Sequence, residues 1–275
     1  MSTVALVLIH GVGSQPRDWS QSFSEALVAE LGADSSQVRL QDAYWAPRST
    51  LADLIRPAFE GAPAAVSADL QDETYARAYR EFSLMLAADA NDPALQGFGL
   101  GDVVDFVKDK LSGVADGLVG DVANYVARNG IRTGVQNTLH DALRLVDAAS
   151  PSNRTIIVSH SQGTIISYDV LREAGASYQG LKTWITMGCP LGKYLRFPLN
   201  WGGQQWGMPG QVRWLNLFDR KDLVGKELSG LRDWTAPKPI DKEVENLKNT
   251  GHAHSHWDNP EVVKIIADEV RAQLV

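Results

Sequence analysis

Apolar and polar positions follow two rhythms along this chain. Val4 to Ile9 is a continuous apolar run, too unbroken for a strand with one wet face, and it predicts a strand covered on both sides. Trp19, Phe23, Leu27 and Leu31 then recur at helical spacing, and Val38 to Trp45 returns to a strand pattern. Further along, the pattern predicts a helix near residues 133–148, a strand at 155–158, a helix from Gln162 to Ala174 stopped by Gly175, and strands at Leu181–Met187 and Val212–Phe218. A last helix starts at Asn259-Pro260-Glu261, where Asn caps and Pro fits the first turn, with Val262, Val263, Ile266 and Val270 on one face. Strand and helix alternating in this way predict an α/β fold, a mostly parallel sheet covered by helices on both faces.

Residues 48–130 break the alternation. The stretch from Gly101 to Tyr125 spaces Val103, Phe106, Val107, Leu111, Val114, Leu118, Val122 and Tyr125 as an amphipathic stripe interrupted by Gly113, Gly117 and Gly120. It reads as an inserted helical cap in a single domain of 1–275; a helix simply packed on the sheet gives the same stripe. Membrane-surface binding fits less well, because the polar side carries Asp as often as Lys.

Composition narrows the function classes. A chain of 275 residues, 44% hydrophobic, is long enough to bury a large core, and a net charge of −7 without a dense Lys/Arg run argues against a nucleic-acid partner. The lone Cys189 forms no internal disulfide, which fits a reducing compartment. No run approaches the roughly 18 apolar residues of a membrane span, and the N-terminal apolar run lacks a basic flank and cleavage site, so it reads as a strand and not a leader. The expected location is cytoplasmic.

Four stretches carry candidate chemistry. In TIIVSHSQGT, residues 155–164, a strand passes through Ser-His-Ser-Gln-Gly straight into a helix, which demands a very tight turn. That is close to the nucleophile elbow G-x-S-x-G, with Ser161 central, Gly163 in the later small position and Ser159 in place of the earlier Gly. A plain helix cap at Ser161 is the bland alternative. In LVLIHGVG, residues 6–13, Gly11 lets the chain bend over the strand end, so that the N–H of Val12, with that of Gln162, is positioned to form an oxyanion hole. A nucleotide loop fits less well: the third Gly of G-x-G-x-x-G is missing, and no G-K-[ST] is present.

In WLNLFDRKDLVG, residues 214–225, Asp222 is the expected acid of a triad, beyond the strand end with Val224 as anchor; Asp219 competes. In GHAHSHWDNPEVVKII, residues 251–266, one of three alternate histidines would be the general base. His254 is favoured because Trp257 stands ready to pack the loop against the final helix, with His256 and then His252 as alternatives. The same cluster supports a rival metal reading, His254-x-His256-x-Asp258, although Asp258-Asn259-Pro260 is already explained as a helix start.

Taken in order, His10-Gly11, Ser161, Asp222 and His254 resemble the α/β-hydrolase family, and most its lipase and esterase branch with a short N-terminus. Met187-Gly188-Cys189-Pro190-Leu191 also resembles the G-S-P-L segment of lipase-like members, which makes Cys189 a small buried residue rather than a nucleophile. The resemblance implies a Ser-His-Asp hydrolase of a small-molecule acyl substrate that needs no cofactor. A catalytically silent module of the same fold is the alternative from a different class. Phe197, Trp201, Trp206 and Met208, together with the stripe in the cap, are the expected acyl-pocket residues.

Overall fold

The computed structural model describes residues 3–11, 15–45, 73–89, 113–149, 154–174, 177–195, 211–231, 238–246 and 254–275. Six strands form one sheet: β1 (Val4–Ile9), β2 (Val38–Ala43), β3 (Arg154–His160), β4 (Leu181–Met187), β5 (Arg213–Phe218) and β6 (Ile240–Glu243). Every pairing is parallel, in the order β2-β1-β3-β4-β5-β6. The described helices are α1 (Gln21–Leu31), α2 (Glu73–Asp89), α3 (Gly113–Ala127), α4 (Asn129–Ala149), α5 (Gln162–Ala174), the single turn α6 (Leu191–Tyr194) and α7 (Pro260–Leu274). This is an α/β architecture. Among the described residues no helix is long and apolar enough to cross a membrane.

The unbroken apolar runs follow from two cores. Along β1, Val4, Leu6 and Leu8 point into a core shared with Phe23, Leu27 and Leu31 of α1 and Val262, Val263, Ile266 and Val270 of α7. The alternate residues Ala5, Val7 and Ile9 point to the opposite core, which holds α2 to α6. Because successive side chains leave opposite faces of a strand, a strand buried on both sides needs apolar residues at every position. Burying one Leu or Val this fully contributes roughly 1.5–3 kcal/mol, so β1 anchors both layers.

Tyr75, Tyr79, Phe82 and Leu86 of α2 and Val119, Val122 and Tyr125 of α3 belong to the same core as the sheet. The described part of the 48–130 segment is thus packed helix, and residues 48–72 and 90–112 lie outside the described residues. A buried knot ties α5 to it: Oδ2 of Asp169 accepts from Tyr125 Oη at 2.9 Å, Tyr194 Oη at 3.1 Å and Arg132 Nη2 at 2.9 Å.

The strand order places the site. The chain runs from β1 outward to β2, then returns to lay β3 on the other side of β1. Connections therefore diverge from the carboxyl ends of β1 and β3, and such a switch point leaves a crevice in open parallel sheets. His10-Gly11 and His160-Ser161 stand at those two ends, with Ile9 beside Ser159 in register.

Candidate active site

Ser161 has φ 53°, the one non-glycine residue at positive φ among the described residues. Such a left-handed serine costs on the order of 1–3 kcal/mol, and its surroundings hold it there. Its N–H donates to the Met187 carbonyl at 2.9 Å, while its carbonyl accepts from Thr164 N at 2.9 Å and Thr164 Oγ1 at 2.6 Å. The Cys189 thiol in turn donates to Thr164 Oγ1 at 3.2 Å. Burial pushes that thiol up to about 12, so Cys189 is an inert support for the turn.

Small residues surround the turn because the backbones nearly touch. A Cβ on Gly163 would lie 2.5 Å from the His10 carbonyl oxygen, and one on Gly11 would lie 2.7 Å from Ser161 Cβ. Ser159 fits where glycine was the expected residue: its hydroxyl donates to the Ile185 carbonyl at 3.2 Å and accepts from Trp184 Nε1 at 2.8 Å. The side chain cross-links β3 to β4.

The hydroxyl of Ser161 does not stand out above the sheet, as an exposed elbow would. Ser161 is 0% exposed, because Gly11 packs over it, but it lines a cavity of about 230 Å³. Gly11, Trp19, His160, His254 and Trp257 share that wall. Its Oγ has no hydrogen-bond partner.

His254 reaches the same cavity from the loop before α7. Its Nδ1 donates to Oδ2 of Asp222 at 2.8 Å, and its Nε2 is buried without a partner. Burial raises the Asp222 carboxyl, but His254, His256 and the Val224 N–H together outweigh it, and the group sits below the usual carboxylate value. Oδ1 of Asp222 accepts from Val224 N at 2.8 Å, which fixes the carboxylate plane.

Asp219 is engaged elsewhere. Its two oxygens accept from Lys221 N and Asn246 N, both at 2.7 Å, so it shapes the turn after β5. Trp257 packs against the core that α7 shares with α1, and its ring lies edge-on to Trp19 at 5.1 Å and Phe23 at 4.9 Å.

Two glycines after β4 and β5 make room for the pair. A Cβ on Gly188, at φ +54°, would fall 2.7 Å from both Cε1 and Nδ1 of His254; one on Gly225 would fall 2.3 Å from Gly188 C. Met187-Gly188-Cys189 is thus the seat of the histidine.

His10 plays a part that its motif did not reveal. Its Nδ1 donates to the Gly11 carbonyl at 2.8 Å, its Nε2 accepts from Trp45 N at 3.2 Å, and its ring stacks on Trp45 at 4.8 Å. Trp45 Nε1 donates back to the His10 carbonyl at 3.0 Å, which pins the end of β1 to the segment after β2.

His160, the residue before Ser161, is the one that reading the motif missed. Its Nε2 donates to the main-chain oxygen of His254 at 2.8 Å, and His256 Nδ1 donates to the same oxygen at 3.2 Å. One nitrogen from each of His160, His254 and His256 lies within 4.8 Å of the others. The bonds to the carbonyl and to Asp222 occupy one nitrogen of each ring, and Nε2 of both His254 and His256 is left buried without a partner. Of the His254-x-His256-x-Asp258 pattern the two histidines belong to this group and exposed Asp258 does not.

Gln162 opens α5, and the first amides of a helix have no acceptor within it. Val12, His252 and the residues 196–210 that include Phe197, Trp201, Trp206 and Met208 lie outside the described residues, as does Gly175. Val122 and Tyr125 of the apolar stripe belong to the core and do not line the cavity.

No protein-family model and no curated protein matches the chain. Among solved structures it is similar to a novel cutinase-like protein from Cryptococcus sp., with 11% identity, 99% of this chain and 95% of that chain covered, and a TM-score of 0.42. So distant a likeness carries no argument about chemistry, which has to stand on the geometry.

Proposed function

We propose that the protein is a serine hydrolase of the α/β-hydrolase type, cleaving carboxylic esters or related acyl compounds through Ser161, His254 and Asp222. One observation carries this reading. A serine held at positive φ between a parallel strand and a helix shares a cavity with a histidine whose far nitrogen is hydrogen-bonded to a buried carboxylate.

Asp222 keeps His254 in the tautomer with the proton on Nδ1, leaving Nε2 as the base. His254 takes the proton of Ser161 as its Oγ attacks the acyl carbonyl. The N–H groups of Gln162 and Val12 receive the oxyanion, each contributing about 3 kcal/mol to the transition state. His254 then protonates the leaving alkoxide, and a water activated by the same nitrogen releases the acyl group.

The cavity wall of Gly11, Trp19 and Trp257 supports a compact, partly apolar acyl or alcohol group. In this reading residues 48–130 form a cap that selects the substrate. Short p-nitrophenyl esters test the reading. Wild type should hydrolyse them and Ser161→Ala should lose nearly all turnover; equal rates for the two would end it.

A further inference from the structure

Asp222 fixes only one end of the base. The ring of His254 is aimed by its own main chain as well, and the carbonyl of residue 254 belongs to the peptide plane that carries the chain onward toward α7. That oxygen has two lone pairs, and both are taken by imidazoles.

We propose, building on the serine-hydrolase reading, that His160 and His256 are positioning residues that clamp the main chain of the general base. They donate to the His254 carbonyl oxygen from opposite ring nitrogens, Nε2 of His160 at 2.8 Å and Nδ1 of His256 at 3.2 Å.

The chemistry assigns each proton. A carbonyl oxygen only accepts, so His160 carries its hydrogen on Nε2 and His256 on Nδ1. Burial holds His160 well below its ordinary value, and holds His256 at about 4, so both rings are neutral and have a single donor each. Each of those donors goes to the same oxygen. The second nitrogen of His256 is buried with no partner, so a single bond is all that this polar side chain gains in return for its burial. A polar residue in so enclosed a place is accounted for by the bond it makes.

The clamp also couples the two reacting groups. His160 is covalently next to Ser161, and its bond reaches 94 residues along the chain to His254. The His160 and His254 rings lie 4.6 Å apart between centroids, and His160 and His256 lie 5.5 Å apart. The nucleophile and the base are therefore spanned by one residue and one hydrogen bond, with the second imidazole closing the other side. Proton transfer is steep in distance, so a loop that drifts by about 1 Å costs on the order of 100-fold in rate.

Two donor-keeping substitutions and two donor-removing ones separate this role from space filling. Glutamine at 160 places an amide N–H near the original Nε2–H, and asparagine at 256 places one near Nδ1–H. H160L and H256L should lose about 10- to 100-fold in kcat with KM nearly unchanged. H160Q and H256N should recover most of that loss, whereas H160N, whose donor is too short to reach, should not.

The tautomers are read in the wild type by imidazole nitrogen NMR, which needs no variant to fold. Protons on Nε2 of His160 and Nδ1 of His256 are the expected result. The opposite tautomer at either residue overturns the clamp, as does equal kcat in H160L, H160Q and wild type. Absence of any Ser161-dependent turnover in the wild type defeats the serine-hydrolase reading itself. Turnover that survives unchanged in every variant defeats the clamp alone.

Discussion

Gly188 and His254 occupy complementary volumes: a Cβ on the glycine would stand 2.7 Å from both Nδ1 and Cε1 of the ring, and its oxygen-side neighbour Asp222 Oδ2 would be 3.2 Å away. The glycine is needed twice over, since its φ of +54° is also one that a side chain resists. G188A should displace the ring from Asp222, lower kcat by about 100-fold or more, and cost about 1–3 kcal/mol of stability. Esterase kinetics alongside thermal melts would check both parts.

The two carboxylates after β5 should separate cleanly. D222N removes the acceptor that holds the His254 tautomer and should reduce kcat about 10⁴-fold. D219N weakens two charge-assisted bonds to main-chain N–H groups and should cost about 2 kcal/mol of stability while leaving kcat within a few-fold. Comparable kcat losses in the two variants would contradict the assignment of Asp222.

Much of this architecture is legible in the sequence, for a physical reason. β1 and β3 to β5 are buried on both faces and so advertise themselves as apolar runs, and α7 declares its start through an Asn259 cap whose Oδ1 accepts from Glu261 N. β6, by contrast, is Ile240-Asp241-Lys242-Glu243 at the sheet edge, largely exposed, and carries no apolar signal to read. The site divides similarly. Ser161 is marked by its neighbours in the chain, but the choice between Asp219 and Asp222 depends on a bond to a residue 32 positions away. His160 could have been singled out only by its place beside the elbow serine, because its partner is remote.

Acid should destabilise the fold well above the carboxylate range. Burial lowers His10 and His256 from 6.5 to about 4. The unfolded chain therefore binds protons at these rings between pH 6.5 and 4 while the folded one does not, and stability falls as pH drops through that window. Each ring contributes at most about 3 kcal/mol of stability, fully present above pH 6.5. Asp222 adds a separate loss at still lower pH, since its folded value is depressed. Melting temperatures at pH 7.5, 5.5 and 4.5 should decline steadily, and H256N should flatten the profile.

Covalent capture of the nucleophile is the most direct test of the central claim. A fluorophosphonate probe applied to the wild type should label one site, which peptide mapping should place at Ser161, and S161A should take up none. A folded wild type that stays unlabelled, or a label that persists in S161A, would contradict the account.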